Sequence, residues 1–354
     1  MAECDALLVV SFGGPEGPDD VMPFLENVTR GRGVPRERLE LVAEHYLARG
    51  GISPINGQVR DLIAAIKTQA AERGLDLPIY WGNRNWEPYL ADTVQQMADD
   101  GVQRALAFVT SAYSSYSGCR QYRENIAAAQ GDVGDAAPVI EKLRAFYDHP
   151  GFIEPMIESV TDAATSVGGV DDPGLRVLFT AHSIPESMAS TSDYVAQLQE
   201  ASRLVAEGAG VENWSLVYQS RSGPPQVPWL EPDICDAITD LDADATSVVV
   251  VPIGFISDHM EVIQDLDTDA AAAASTRGVT FARAATVGDD PRFASLVVDL
   301  VLERTSGLAQ SALGRLAVRP DICPADCCPA PVRPQRRPAS DCIPLRSGGV
   351  PELP

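Results

Sequence analysis

The chain has 354 residues, 45% of them hydrophobic, which suits one large or two medium globular α/β domains. No uninterrupted apolar run approaches the roughly 18 residues that a membrane span needs, which excludes integral membrane contact. With 50 Asp and Glu against 27 Lys and Arg the net charge is −23; this argues against a nucleic-acid partner, and any anionic ligand would need a locally basic pocket.

The start, Met1-Ala-Glu-Cys-Asp-Ala-Leu-Leu-Val-Val10, carries no basic leader and enters an apolar strand at once, so a cytoplasmic location is expected. Apolar β-rich runs then alternate with helical patterns. Strands are predicted near 6–12, 78–82 and 104–112, with helices at 19–28, 56–73, 87–100 and 119–130. The second half repeats the style, with strands near 175–181, 214–219, 247–256 and 279–284 and helices at 193–208, 232–241, 260–275 and 291–305. This alternation implies parallel sheets covered on both faces. The expected fold class is α/β: two similar doubly wound, Rossmann-like parallel-sheet domains, residues 1–150 and 151–306, with a cleft between them. A Pro- and Cys-rich tail follows over 307–354.

In such sheets ligands bind beyond the carboxyl ends of the strands. Five unusual segments are placed there: Phe12-Gly-Gly-Pro15, Ser111-Ala-Tyr113, Ala181-His182-Ser183, Gln219-Ser-Arg-Ser222 and Gly254 to Glu261. Neither GxGxxG nor a Walker pattern occurs, so no nucleotide is expected. Histidine at a strand end accepts a proton near neutral pH or binds a transition metal as neutral imidazole, which makes His182 a candidate. Glu261, Asp265 and Asp269 recur four apart, a carboxylate stripe on a helix. Either a cation sits along that stripe or the face is simply solvated.

Gln219 to Pro232 forms a stiff, Pro-rich loop around Trp229, a long and distinctive connection of the sort that is usually functional. In the first half, Arg30 and Arg32 make a small basic patch, Arg49-Gly-Gly-Ile-Ser53 ends in a candidate helix cap, and Cys119-Arg-Gln-Tyr122-Arg123 opens a helix. Together they could supply the local positive charge an anionic ligand requires. Nine of the 35 residues from 320 to 354 are proline, a composition that seldom forms its own core. Yet this tail holds Cys323, Cys327, Cys328 and Cys342, four of seven cysteines, and clustered thiols in a reducing compartment suggest metal rather than cross-links.

The chain resembles the ferrochelatases, which insert ferrous iron into a porphyrin in haem biosynthesis. The resemblance is carried, in order over residues 5–305, by Ser11-Phe-Gly-Gly-Pro15, Gly50-Gly-Ile-Ser53-Pro, Gly82-Asn-Arg-Asn-Trp-Glu-Pro-Tyr89, Thr180-Ala-His-Ser-Ile-Pro185, Tyr218-Gln-Ser-Arg-Ser-Gly-Pro224, Trp229-Leu-Glu-Pro232 and Pro252-Ile-Gly-Phe-Ile-Ser-Asp-His-Met-Glu261. It implies that His182 and Glu261 face the porphyrin centre and handle metal and pyrrole protons. It implies an outer metal path along Asp265 and Asp269, porphyrin contacts at Ser53 and Tyr122, and a propionate contact at Arg30. Phe12 stands where some relatives have a tyrosine above the ring, and Phe cannot ligate iron. His45 stands where another relative has a propionate arginine. The family also implies a porphyrin bent between the two domains, exposing nitrogen lone pairs.

A subset of the family holds a [2Fe–2S] cluster with three tail thiolates and one from the body. Cys119 is the internal partner that this implies, with four of Cys119, Cys323, Cys327, Cys328 and Cys342 as ligands. Adjacent Cys327 and Cys328 require a tight turn to ligate together, and zinc suits four thiolates equally well on ligand type. The resemblance to soluble bacterial members and the lack of an apolar membrane-binding lip point to coproporphyrin III, with its four propionates, as the substrate beside Fe²⁺. Hand-over to other haem-pathway enzymes is a further implied partnership. Protoporphyrin IX is the alternative substrate, and a non-catalytic tetrapyrrole or metal carrier is the alternative class.

Overall fold

Runs of Val, Leu and Ala that are apolar on both faces can satisfy their backbone only as interior strands of covered sheets. The computed structural model of the protein, which describes residues 4–223 and 226–331, contains two such sheets. The first joins β1 (Ala6–Ser11), β2 (Ile79–Asn83), β3 (Arg104–Val109) and β4 (Val139–Lys142) in the order β2-β1-β3-β4. The second joins β5 (Leu175–His182), β6 (Trp214–Gln219), β7 (Ser247–Val251) and β8 (Thr280–Arg283) in the order β6-β5-β7-β8. Every pairing is parallel, and the two orders are the same. In each half the order reverses beside the first strand, so a crevice opens between β1 and β3 and between β5 and β7.

The helices are α1 (Val21–Val28), α2 (Arg36–Leu47), α3 (Ile55–Glu72), α4 (Leu90–Asp99), α5 (Gln121–Val133), α6 (Pro150–Ser166), α7 (Glu186–Ala189), α8 (Tyr194–Ala209), α9 (Ile234–Thr239), α10 (Met260–Val262), α11 (Ala271–Arg277) and α12 (Pro291–Ser306). Sequence reading missed α2, α6 and β4. On α2, Leu41 and Leu47 are 61% and 49% exposed, which blurs the apolar stripe that would reveal a helix. Helix α6 is buried nearly all round and has Pro155 in its interior, two features that hide a helical period. Predicted strands 104–112 and 247–256 stop early, at Val109 and Val251. Pro252, which follows β7, has no N–H to continue the ladder.

The halves are not separate cores. One apolar cluster runs from Val9, Val59 and Phe108 in the first half to Val177, Phe179 and Val249 in the second. Phe146 stacks on Phe108 at 5.2 Å, and Phe152 and Phe293 close the aromatic group at 6.2 Å. Helix α12, the last of the second half, packs against α3 of the first and against α6. Each buried Phe contributes about 1.5–3 kcal/mol from burial, so this joint is the main adhesive between halves.

A buried ion pair reinforces it. Arg144 meets Glu303 of α12 through two bonds of 2.7 and 2.9 Å, both side chains being 1% exposed. Arg144 also donates to the Ser311 carbonyl at 2.9 Å, which lays the start of the tail over the joint. Residues 307–331 form neither helix nor strand, as the proline content led us to expect. Arg144→Met should cost about 3–5 kcal/mol in urea unfolding by stranding the Glu303 charge, and adding Glu303→Leu should recover most of that loss.

Candidate active site

The second half supplies a histidine and a carboxylate from adjacent strand ends. His182 ends β5, and its Nδ1 lies 2.5 Å from the Ser183 carbonyl. A carbonyl can only accept, so Nδ1 carries the proton and the Nε2 lone pair is free in the neutral ring. That Nε2 faces Glu261 Oε2 at 3.7 Å. The two side chains are 33% and 54% exposed, open to a ligand. The meeting depends on a glycine. Gly254 N donates to the Thr180 carbonyl at 3.0 Å, and a Cβ at Gly254 would lie 2.5 Å from Ala181 Cβ. Only glycine allows the β7 loop to come this close to β5.

The stripe Glu261, Asp265 and Asp269 lies on one continuous helical run, but its middle, Ile263–Ala270, is π-helical. Such wide turns recur at functional sites. Asp265 accepts from Ser220 Oγ and from Gln219 Nε2, the latter at 3.2 Å. Burial, aided by the Glu261 and Asp269 charges, pushes its carboxyl up to about 6. Ser220 holds φ 60°, a left-handed conformation that is strained for serine and keeps its hydroxyl on Asp265. Asp269 is exposed and accepts from Gln264 at 3.1 Å. His259 stacks edge-on to Phe255 at 5.0 Å, and burial lowers its pKa, so it stays neutral.

First-half residues close around this centre. Met260 sits in one apolar cluster with Phe24, Tyr46 and the half-buried Trp86, so α1 and α2 pack beside Glu261. Arg49 donates to Gln264 at 3.0 Å and to Thr268 at 2.6 Å, pinning the end of that helical pair to the π-helix. The Tyr113 hydroxyl donates to the Ile253 carbonyl at 2.8 Å, and Asp258 N to Gln58 at 2.8 Å. Phe12, 36% exposed, follows β1 and meets Phe24 edge-on at 6.4 Å. Ser53 is 3% exposed against Gly14, where a Cβ would lie 2.7 Å from its own. Arg30 is exposed just beyond α1, and His45 is exposed on the last turn of α2.

Tyr122 is only 4% exposed, under the Arg84 guanidinium at 4.4 Å. Arg84 also lies 5.8 Å from the Phe12 ring and has an unpaired buried Nε. Our sequence reading quoted the Gly82 to Tyr89 string without singling this arginine out. A lone cation in an acidic chain, between two aromatic residues, was the signal. The Trp229 loop packs beside His182: Ser183 Oγ donates to the Leu230 carbonyl at 2.8 Å, and Glu186 N to that of Pro228 at 3.0 Å.

Four thiols gather around the turn that opens α5. Cys119 lies in a second π-helical turn, Tyr116–Arg120, close enough to Cys323 to interact with it electrostatically. Cys327 Sγ is 3.4 Å from Cys328 Sγ. Cys328 has φ 50°, the tight turn that two adjacent cysteines require. Its neighbour Cys323 and the charges of Lys142 and Arg123 draw the Cys119 thiol down, with Cys323 raised in turn, whereas burial pushes Cys328 up. Arg120 donates to the carbonyls of Ala325 and Cys327 at 2.8 and 3.2 Å, holding the tail loop on α5. Among the described residues no group of three or more His, Cys, Asp or Glu is placed to hold a single metal ion. Cys342 lies outside the described residues. Among those residues no helix is long and apolar enough to cross a membrane.

The profile of the family described as Ferrochelatase matches residues 4–305. A protein named ferrochelatase from Rhodopirellula baltica is 56% identical over 328 residues, which cover 92% of this chain and 93% of that protein. Proteins named coproporphyrin III ferrochelatase from Streptomyces coelicolor and Mycolicibacterium smegmatis are 53% and 55% identical, covering 92% and 86% of this chain and 93% and 91% of theirs. Among solved structures, SirB from Bacillus subtilis with Fe³⁺ has a TM-score of 0.53 at 11% identity, over 86% of this chain and 99% of that one, a likeness of fold.

The raised Asp265 carboxyl makes a pH prediction. Its folded pKa, about 6, lies above the ordinary 3.8, so its ionised form burdens the fold fully above pH 6 and not at all below the ordinary value. Asp265→Asn should therefore raise the melting temperature most at alkaline pH. The gain should shrink as pH falls through that window in scanning fluorimetry; a pH-independent gain contradicts the assignment.

Proposed function

The chain belongs to the ferrochelatase family, and on that premise we propose that it inserts Fe²⁺ into coproporphyrin III, yielding iron coproporphyrin in haem biosynthesis. The observation that carries the mechanism is the 3.7 Å approach of His182 Nε2 to Glu261 Oε2 across the β5 and β7 ends. The ring releases two N–H protons as Fe²⁺ enters, with no change of oxidation state. His182 Nε2, its lone pair free, accepts the two pyrrole protons one after the other and passes each to solvent water along the exposed Glu261, which stabilises the imidazolium formed in between. Glu261, Asp265 and Asp269 exchange water for carboxylate oxygen on the incoming iron and lead it inward. The Ser220 hydroxyl holds Asp265 in that line.

The ring lies against Phe12 and Ser53, with Tyr122 reached past Arg84. Phe12 provides an apolar face and no iron ligand, so metal handling stays with His182 and Glu261. Arg30 and Arg84 take propionates: a guanidinium binds a carboxylate through a planar fork, and the surrounding net charge of −23 makes such local cations selective sites. The names of the similar proteins support the four-propionate ring over protoporphyrin IX. The same pairing of His182 with Glu261 and an acidic path tells against the carrier reading, which needs no proton acceptor.

The thiols fit a [2Fe–2S] cluster better than a lone zinc ion. Cys327 and Cys328 lie 3.4 Å apart, and no three of the described cysteines are placed around one point as a single ion would need. The left-handed Cys328 turn removes the need for Cys342. Lys142, Arg123 and Arg319 offset the charge of four thiolates. When bound, such a cluster cross-links the tail to α5 and offers a one-electron couple that the insertion reaction does not use.

Two measurements test these assignments. Anaerobic Fe²⁺ insertion, followed by loss of porphyrin fluorescence, should be fast with coproporphyrin III and slow with protoporphyrin IX. His182→Ala should abolish it while far-ultraviolet circular dichroism stays unchanged, and Glu261→Gln should slow it by about a hundredfold or more. Turnover of His182→Ala near the parent rate would refute the proton-acceptor role. Cys119→Ser and Cys328→Ser should each remove visible absorbance and bound iron from anaerobically purified protein; zinc in place of iron would refute the cluster.

A further inference from the structure

The first turn of α8 touches both sides of the cleft and the tail. Tyr194 is 7% exposed, and its hydroxyl donates to the His182 carbonyl at 3.0 Å. Its ring stands edge-on to that of Tyr113 at 6.2 Å, whose hydroxyl holds the Ile253 carbonyl in the loop leading to Glu261. One turn on, Gln197 accepts from Ser114 N at 2.7 Å and donates to Ser114 Oγ at 3.0 Å. Asp193, the cap residue of α8, pairs with Arg319 of the tail, whose Nη2 lies 3.7 Å from Cys327 Sγ.

The sheet explains why His182 needs this support. The Ser183 N–H donates to Gln219 of β6 at 2.8 Å, so the carbonyl of the same peptide points the other way, toward β7. The β5–β7 register ends at Phe179 and Val251, and the chain has left the sheet at Pro252. Tyr194 supplies the donor that the missing strand would have given. Since the imidazole Nδ1 is fixed by the next carbonyl along, a tilt of this peptide moves Nε2 relative to Glu261.

We propose that Tyr194 is a positioning residue for His182, and that the Arg319–Asp193 pair makes that position depend on the thiol nest of the tail. The inference rests on the reading of His182 as proton acceptor. The test is anaerobic Fe²⁺ insertion into coproporphyrin III by the full chain, with tail iron measured in each variant by elemental analysis. Tyr194→Phe should lower kcat about tenfold with KM unchanged, because a small misplacement of a reacting group is costly while ring binding is untouched.

The Asp193 side chain makes no cap bond to α8, so Asp193→Asn removes only its charge and tests the tail link if Tyr194→Phe fails to fold. It should lower kcat about fivefold with full iron content, the scale of one partly exposed ion pair. Arg319→Ala should do the same, and the double variant should be no worse than either single change. A kcat within twofold of the parent in Tyr194→Phe or Asp193→Asn, or a rise in KM alone, overturns the inference when the His182→Ala control is inactive. An active His182→Ala overturns the reading beneath it instead.

Discussion

The centre depends on one close approach, that of Gly254 to Ala181 where β7 leaves its sheet beside β5. Parallel strands end in register, so two neighbouring strand ends naturally present their following residues to the same space. The approach converts that tendency into a contact: it sets Glu261 within 3.7 Å of His182. The chain then spends its remaining devices holding the β7 loop still. Tyr113, Gln58 and Arg49 all reach it from the first half. A site built from one half is thus braced by the other, which is why the halves share one core and one buried ion pair rather than meeting at a loose hinge.

Electrostatics divides the cleft by task. Its second-half side concentrates carboxylates, and the cost is visible in Asp265, whose burial beside Glu261 and Asp269 raises its pKa to about 6. A carboxyl so perturbed is held by its surroundings rather than by water, unlike one on a solvated helix face. The first-half side holds the cations. Arg84, set between Phe12 and Tyr122, is attracted to both rings, donates to the Ser117 carbonyl at 3.3 Å and has no carboxylate partner among the described residues. Opposite charges on opposite walls match a ligand that is cationic at its centre and anionic at its edge.

The tail shows the same logic at lower density. Residues 307–331 have no regular structure of their own and too little apolar surface to fold alone. They are held by carbonyl bonds to Arg120, Arg123 and Arg144 and by the pairing of Arg319 with Asp193.

The sequence by itself determined the class and the chemistry. Period-two and unbroken apolar runs located seven of the eight strands, since covered parallel strands are apolar on both faces. The strings around Ser53, His182 and Glu261 carried the family, and polar residues at strand ends marked the cleft. The fourth strand of the first sheet escaped because Val139 to Lys142 is short and half polar. Only the tertiary structure decided which residues meet. The tautomer of His182 follows from a carbonyl one residue away, the burial of Tyr122 from Arg84 above it, and the raised pKa of Asp265 from its burial against the end of β6, which outweighs the bonds from Ser220 and Gln219. Such properties depend on distances between parts far apart in the chain, and a pattern of residue types records a local period but not a distance.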